Sequence, residues 1–509
     1  MSEKDKVISS AVESSPAYIL DAELRTMCGF FNSTFYCVKG KLTEHAVQSY
    51  AQLLLELNAI KSVFDVTEIS FSKLQELYSV GSEKKYQSYT QEDVLALIKK
   101  AAEQEASDMH IIVDDDNSTI IKHRILGDML VVDDTKSDSY GMAILGSMYN
   151  TMTENGKPYF STDGSADGRI KQEFIKDYGL FGLRYSQRKT DNGVFVVLRL
   201  FYNKGNVSQT LESLGYTEQQ CADINRLINR RGMVIFSGAT GSGKSTTIAV
   251  ILRMIIKMTE GKRNIITIED PPEFKIEGAV QTVLSHMPGY EDMDKAISAA
   301  WAEAMRSIMR LDPDIIMAGE IRDEQSATGA IRAARTGHQV WSTIHTTDAL
   351  SVFDRLRDMG CDAPSIANPA VLSGLINQSL AKVLCSKCKL PLKGNEHLIN
   401  DSSALSKVKR LTKWDGVYIK GAGCDACNHF GFTGRTAIAE IVVTDKKLMT
   451  LLRDKGGSAA FEYWISKGGV SKCAMLTKRV NEGVVDPFIS ERELHIALDD
   501  DEIMLGSDE

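Results

Sequence analysis

The sequence lacks an excess of positive charge. Its 59 Lys and Arg residues are outnumbered by 68 Asp and Glu residues, which gives a formal net charge of −9. It also shows no obvious basic stripe interleaved with aromatic residues. Proteins that coat or track nucleic acid usually carry such surfaces. We therefore expect no nucleic-acid partner.

Long apolar segments are missing as well. The start, Met-Ser-Glu-Lys-Asp-Lys, has no apolar stretch of the kind found in signal peptides. The longest uncharged stretch, residues 363–381, contains two prolines and several Ser, Asn and Gln residues, which disfavours a membrane span. We expect neither a secretion leader nor a transmembrane segment, so work at a membrane would require a partner.

The cysteine pattern disfavours a disulfide framework. The chain has nine cysteines, an odd number, and four of them form two C-x-x-C pairs: Cys385 with Cys388, and Cys424 with Cys427. Thirty-five residues separate the pairs, more than in a short zinc ribbon, but a longer insert can still close a tetrahedral site. We predict a structural Zn²⁺ site in a protein from a reducing compartment, with four free loop thiols as the alternative.

The most informative segment matches the phosphate-binding pattern G-x-x-x-x-G-K-[ST]. An apolar run, residues 233–236, precedes it, and apolar residues at helical spacing follow it. Lys244 can reach the outer phosphates, and the Ser245 hydroxyl can bind Mg²⁺. The predicted nucleotide-binding residues are Gly238, Ala239, Thr240, Gly241, Ser242, Gly243, Lys244, Ser245 and Thr246.

Three further strand-like runs end in polar residues. Glu269 and Asp270 follow residues 265–268, Glu320 follows residues 315–318 after Gly319, and His345 follows residues 340–344. Ligands of parallel sheets collect outside the carboxyl ends of the strands. Each residue alone could be a helix cap or a solvated turn residue, but together they predict a site around the phosphate loop.

These segments resemble the Walker A, Asp box, atypical Walker B and His box of the secretion ATPase superfamily, which powers type II secretion, type IV pili and type IV secretion. The segment Ala106-Ser107-Asp108-Met109-His110 resembles the family's A-S-D-I-H sequence. Residues 183–186 and 197–200 resemble its two arginine-bearing strands. The resemblance covers roughly residues 92–445.

The resemblance implies a multidomain chain in which an α+β, PAS-like domain precedes a RecA-like α/β P-loop ATPase core. Strand and turn patterns agree with this order. The expected parts are a poorly defined helical region over 1–90, the α+β domain over 91–201, a linker over 202–207, the ATPase core over 208–383, the tetracysteine zinc subdomain over 384–430, and a helical region with an acidic tail over 431–509.

The resemblance also implies catalytic roles in the hydrolysis of ATP with Mg²⁺. Glu269 orients or deprotonates the attacking water, Glu320 supports Mg²⁺ together with Ser245, and His345 senses the γ-phosphate. Arg184 and Arg199 move over the nucleotide from the preceding domain; the alternative is that they pair with surface acids. The resemblance further implies a cytoplasmic homohexamer that binds an inner-membrane platform protein.

The expected function is a motor that assembles a type IV pilus or a type II secretion pseudopilus. A retraction motor of the same superfamily is the main alternative, although such motors generally lack the tetracysteine insert. Outside the family, the alternatives are a RecA-like nucleic-acid motor with a zinc module and a nucleotide-gated scaffold. No N-K-x-D motif supports a GTPase. The segment 461–469 and the acidic tail depart from type II motors, which leaves a type IVb or conjugative pilus as a hypothesis.

Overall fold

The computed structural model describes residues 24–31, 34–56, 60–62, 66–71, 73–74, 91–114, 116–154, 160–162, 164–203, 209–284 and 293–506. The chain divides into two compact units, with the boundary between Leu200 and Phe201. Most of the predicted linker, residues 204–207, lies outside the described residues.

The first unit begins with a small mixed sheet in the order β1-β2-β3. Buried aromatic and aliphatic side chains, including Phe30, Phe35 and Leu54, join it to the second helix. The sequence predicts a helical region over residues 1–90. The described part of this region contains the helix over residues 45–56, but it also contains strands, which are too short to show a clear alternation of apolar and polar residues. The elements are α1 (Leu24–Met27), β1 (Cys28–Phe31), β2 (Thr34–Val38), α2 (His45–Glu56) and β3 (Val66–Ile69).

The larger sheet of the first unit has seven strands in the order β6-β5-β4-β10-β9-β8-β7. The expected hairpin over residues 180–201 is present as the neighbouring strands β9 and β10. The elements are α3 (residues 91–103), β4 (Asp108–Asp114), β5 (Ser118–Ile125), β6 (Asp128–Lys136), α4 (Asp138–Ser147), β7 (Thr153–Glu154), β8 (Ala166–Ile170), α5 (Gln172–Ile175), β9 (Leu180–Thr190) and β10 (Gly193–Tyr202).

The second unit is built on another seven-stranded sheet, in the order β13-β12-β14-β15-β11-β16-β19. The strands are β11 (Gly232–Ser237), β12 (Ile265–Glu269), β13 (Val280–Val283), β14 (Ile315–Ala318), β15 (Gln339–Ile344), β16 (Leu372–Leu384) and β19 (Phe432–Val443). The inserted pair β17 (Leu390–Pro391) and β18 (Tyr418–Ile419) forms a separate two-stranded sheet.

Helices cover the second unit's sheet. They are α6 (Glu218–Ile228), α7 (Lys244–Met258), α8 (Met293–Ile308), α9 (Glu324–Arg335), α10 (Ser351–Asp358), α11 (Ala363–Ile366), α12 (Ser402–Leu411), α13 (Lys446–Lys455), α14 (Gly457–Ser466), α15 (Lys472–Asn481), α16 (Pro487–Leu494) and α17 (Asp500–Leu505). No helix within the described ranges is both long and apolar enough to cross a membrane.

Strand direction decides where the site lies. Strands β11 to β16 pair in parallel, and only β19 runs antiparallel, against β16. The strands β11, β12, β14 and β15 are buried along their whole length, which explains why apolar residues predominate in their sequences without an alternation of apolar and polar positions. Their carboxyl ends therefore meet at one edge of the sheet.

The sheet extends further along the chain than the predicted core. Residues 431–509 are expected to be helical, but β19 forms a full strand of the central sheet before the helices begin. The predicted boundary is wrong at this point because β19 pairs with β16 from beyond the cysteine insert. Local sequence pattern does not specify the partner of an edge strand that returns from so far along the chain.

Candidate nucleotide site and cysteine cluster

The phosphate loop joins β11 to α7 at the sheet's carboxyl edge. Gly238, Gly241 and Gly243 have φ values of +135°, +78° and +84°, which side-chain-bearing residues rarely adopt. Gly243 is the N-cap of α7, so the loop opens directly onto a helix N-terminus. Such a terminus attracts phosphate through its amide groups and its dipole.

Lys244 is buried within this loop. Its Nζ donates to the carbonyl oxygens of Gly238, at 2.7 Å, and Ala239, at 3.0 Å. Burial lowers the pKa of the amine to about 8, although Glu320 and Glu273 oppose the shift. The amine is therefore already at the loop, bonded to groups that a phosphate could replace.

Glu320 and His345 also lie against the loop. The His345 imidazole contacts the Gly238 carbonyl oxygen through Nδ1 at 2.9 Å and Glu320 Oε1 through Nε2 at 3.2 Å. Arg322 donates from Nε to the other Glu320 oxygen at 2.7 Å. The structure thus brings together Lys244, Glu320 and His345 as the sequence predicts, and adds Arg322, which the sequence argument missed.

Glu269 ends β12 at the same edge and is buried. Its Oε1 accepts hydrogen bonds from Thr267 Oγ1 at 2.7 Å and from Gln281 Nε2 at 3.0 Å. Burial raises the pKa of this carboxyl, and the two donors partly offset the effect. The group is held in one orientation and is more basic than an exposed glutamate.

The two candidate arginines lie in the first unit, on β9 and β10. The Arg184 side chain is exposed. Arg199 Nε donates to Asp108 Oδ1 at 2.9 Å, and Asp108 is buried. Ser107 Oγ donates to the second Asp108 oxygen at 2.8 Å. The A-S-D segment of the sequence therefore anchors Arg199, while about half of the arginine side chain remains exposed.

The four paired cysteines form one cluster. Their Sγ atoms lie within 4.8 Å of one another. The separations are 3.8 Å for Cys385 and Cys424, 3.9 Å for Cys388 and Cys427, and 3.9 Å for Cys424 and Cys427. A tetrahedral zinc ion with Zn–S bonds of about 2.3 Å separates its sulfur ligands by about 3.8 Å. The arrangement fits such an ion.

Backbone donors support the same interpretation. The amides of Cys424 and Gly431 each donate to Cys427 Sγ at 3.2 Å. Burial raises the pKa of this thiol, but the amide donors and hydrogen bonds from Cys424 and Cys388 lower the pKa to about 6, whereas burial raises the pKa of the Cys388 and Cys424 thiols. The deprotonated thiolate is the form of cysteine that binds metal, so a thiol that loses its proton readily suits a metal site.

Sequence reasoning missed a set of residues on β16. Asn377 donates through Nδ2 to Ser237 Oγ at 2.8 Å and to the Thr346 carbonyl oxygen at 3.1 Å. Gln378 donates through Nε2 to the Ser242 carbonyl oxygen at 2.7 Å. Both side chains are buried against the loop. The only available signal was their polarity inside an otherwise uncharged run.

Known proteins resemble the chain in sequence. The Type II secretion system ATPase E of Vibrio cholerae is 36% identical over 284 residues, which span 56% of this chain and 52% of the relative. The Type II secretion system protein E of Aeromonas hydrophila is 32% identical over 373 residues, or 73% of this chain and 68% of the relative. The chain spans only about half the length of the Vibrio cholerae and Dickeya dadantii relatives.

Solved structures support the fold. The Legionella pneumophila ATPase DotB matches 78% of this chain and 94% of its own, with a TM-score of 0.53 at 18% identity. The pilus retraction motor PilT matches 77% of this chain and 94% of its own, with a TM-score of 0.51 at 22% identity. These likenesses show the RecA-like mixed α/β fold of secretion ATPases.

A family profile provides the final comparison. The family described as Type II/IV secretion system protein matches residues 83–494, which is most of the chain. The match includes the phosphate loop, the three strand ends and both cysteine pairs. This chain belongs to the type II/IV secretion system protein family.

Proposed function

We propose that this protein hydrolyses ATP and works as a motor for type II secretion or type IV pilus assembly. One observation supports the proposal above all others. His345 contacts both the Gly238 carbonyl oxygen and Glu320, so a phosphate loop, a carboxylate and an imidazole form one connected site. A site that recognises a polyphosphate and carries a carboxylate for Mg²⁺ suits phosphoryl transfer.

Each residue of the site then has a role. The loop amides, from Gly238 to Thr246, and Lys244 bind the phosphates. Ser245 and Glu320 would hold Mg²⁺, which neutralises phosphate charge when bound. Glu269 accepts a proton from the attacking water, a task that suits a buried carboxylate of raised pKa. His345 senses the γ-phosphate, and its contact with Glu320 links γ-phosphate binding to that carboxylate.

Arg184 and Arg199 complete the site in this proposal. Both belong to the first unit, and Arg199 is oriented by Asp108. An arginine that reaches the transferring phosphoryl group neutralises charge that develops only in the transition state. Closure of the first unit on the nucleotide would then be the step that converts hydrolysis into motion.

The cysteine cluster is proposed to be a structural Zn²⁺ site. Four sulfur ligands leave no open position for substrate, so the metal would stabilise the fold of the subdomain over residues 384–430 rather than catalyse a reaction.

The antiparallel sheet of β4 to β10, with its flanking helices, supports a PAS-like interpretation of residues 91–201.

The wider role rests on relatives whose names refer to type II secretion. We infer a homohexamer that binds an inner-membrane platform protein on the cytoplasmic side. Assembly or secretion is preferred over retraction because the cysteine cluster accords with the tetracysteine insert of assembly-type motors.

Phosphate release by the purified chain tests this function. We expect Mg²⁺-dependent hydrolysis of ATP that single- and double-stranded DNA fail to stimulate. Lys244→Ala should abolish it, whereas Lys257→Ala, an exposed position near the other end of α7, should retain it. Strong stimulation by DNA would favour the nucleic-acid motor, and hydrolysis that survives Lys244→Ala would contradict the proposed site.

A further inference from the structure

Gln378 lies beside the phosphate loop but belongs to a distant part of the chain. Strand β16 pairs in parallel with β11, and the last paired residues are Asn377 and Ser237. Gln378 follows Asn377 on β16, and Gly238 follows Ser237 directly after β11. The strand pairing therefore places this glutamine next to the first residue of the loop.

Both ends of the Gln378 side-chain amide are hydrogen-bonded. Nε2 donates to the Ser242 carbonyl oxygen at 2.7 Å. Oε1 accepts from Thr247 Oγ1 at 2.9 Å and from the Tyr216 hydroxyl. Since a carbonyl oxygen can only accept, these partners fix which end of the amide faces the loop.

Loop glycines pack directly on Gln378. A Cβ atom added at Gly238 would collide with the main-chain carbonyl oxygen of Gln378, and one added at Gly243 would lie 2.8 Å from the side-chain Nε2 of Gln378. Both glycines also have positive φ. The loop thus needs glycine for its own backbone and for close contact with Gln378, which is itself only 2% exposed.

Tyr216 orients the glutamine from the opposite side. Its side chain is buried, and burial raises the pKa of its phenol, so the hydroxyl keeps its proton and remains a donor. Its own segment is fixed to β19, since the Ala437 amide donates to the Leu214 carbonyl oxygen at 2.8 Å. Thr247, the second donor to Oε1, lies on α7 just after the loop.

We propose that Gln378 is a positioning residue that holds the phosphate loop in the form that receives nucleotide, and that Tyr216 orients Gln378 for this task. The proposal rests on the nucleotide site described above. Gln378 acts through the Ser242 carbonyl group. By holding the loop from outside, it reduces the rearrangement that nucleotide binding would otherwise require.

The test compares two buried glutamines. Gln378→Met keeps side-chain volume but removes the amide. Gln339→Met is the matched control, because Gln339 is also buried and hydrogen-bonded. Gln339 is the first residue of β15, so it lies at the end of the strand away from the phosphate loop. Its Nε2 donates to the carbonyl oxygens of Leu227, Ile228 and Arg230. The measurements are the Kd of a fluorescent ADP analogue and the Tm of each variant.

We expect both variants to lose stability, but only Gln378→Met to bind the analogue more weakly, by about tenfold. Equal affinity for Gln378→Met and the wild type would overturn the proposal. A wild type that binds no nucleotide would instead overturn the proposed function, so the two failures are distinguishable.

Tyr216→Phe provides a second test. It removes only the hydroxyl that donates to Gln378, so it can still be measured if Gln378→Met does not fold. It should weaken ADP binding in the wild-type background. In the Gln378→Met background it should add nothing, because Tyr216 acts through the amide. Undiminished affinity of Tyr216→Phe, or an effect that adds fully to that of Gln378→Met, would overturn the role given to Tyr216.

Discussion

Lys244 shows how the nucleotide site is prepared at the level of single side chains. Its amine binds two carbonyl oxygens of its own loop and is buried, so its charge is only partly compensated. Burial accordingly lowers its pKa to about 8. A bound phosphate would bring an opposite charge and raise that pKa again. Nucleotide binding and protonation of Lys244 should therefore be coupled.

This coupling predicts a pH dependence. Below about pH 8 the amine already carries its proton, and binding needs none; above that pH the neutral amine must take up a proton, so affinity falls as pH rises. Calorimetry of ADP binding in two buffers of different ionisation enthalpy should show little proton uptake at about pH 7 and close to one proton at about pH 9. Lys244→Arg, which stays protonated, should remove the uptake. Absence of uptake by the wild type at the higher pH would contradict this account.

Residues of the site differ in how far the sequence predicts them. Lys244, Ser245 and the loop glycines follow from one contiguous pattern, and Glu320 and His345 follow from strand ends. Arg322 and Gln378 do not. Gln378 is 136 residues from Ser242, the loop residue that it binds, and only the pairing of β16 with β11 brings the two together. A contact of this kind depends on sheet order, which local pattern does not specify.

Among the secondary-structure elements, β16 and β19 connect the nucleotide site to the cysteine cluster. Strand β16 carries Gln378 and ends at Leu384, directly before Cys385. Strand β19 begins at Phe432, shortly after Cys427, and pairs with β16 along its length. A metal bound by the four sulfurs would join the ends of this strand pair.

The cysteine cluster predicts a measurable metal content. The purified protein should contain about one zinc ion per chain, and Cys388→Ser should lose it and unfold at a lower temperature. Cys473→Ser is the control, because Cys473 is buried in a separate apolar cluster. Elemental analysis and thermal melts provide the two readouts. Zinc retained by Cys388→Ser, or absent from the wild type, would show that the cluster is not the site.

In the seven-stranded sheet of the second unit, the sequence predicts the strands whose residues are all buried. The apolar runs of β11, β12, β14 and β15 identify them as parallel strands. The strands of the first small sheet have four or five residues each and give no clear period. Strand β19 lies at the sheet's edge after a long insert, so its place depends on tertiary pairing. These are the regions where the sequence prediction and the structure differ.

At the scale of the whole chain, the phosphate loop and the two candidate arginines belong to different compact units. Arg199 is fixed by buried Asp108, whereas Arg184 is exposed on the neighbouring strand. The charges of the proposed site are therefore divided between two parts of the chain. Turnover should depend on both parts, and nucleotide binding mainly on the second.

Arg184→Ala tests this division. We expect ADP affinity to stay near that of the wild type while ATP turnover falls by about 10³-fold, because the arginine acts on charge that develops in the transition state. Arg188→Ala is the control, since Arg188 lies on the same strand and pairs with Asp167 at 3.6 Å. Unchanged turnover by Arg184→Ala would argue against closure over the nucleotide.

In the proposed mechanism, carboxylates at the edge of the sheet make the phosphate loop a hydrolytic site. The most direct measurement is the chemical state of nucleotide bound to Glu269→Gln after incubation with Mg²⁺ and ATP. We expect the variant to bind ATP as tightly as the wild type but to retain it unhydrolysed, while the wild type converts it to ADP and phosphate. Hydrolysis by Glu269→Gln at the wild-type rate, or none by the wild type, would contradict this mechanism.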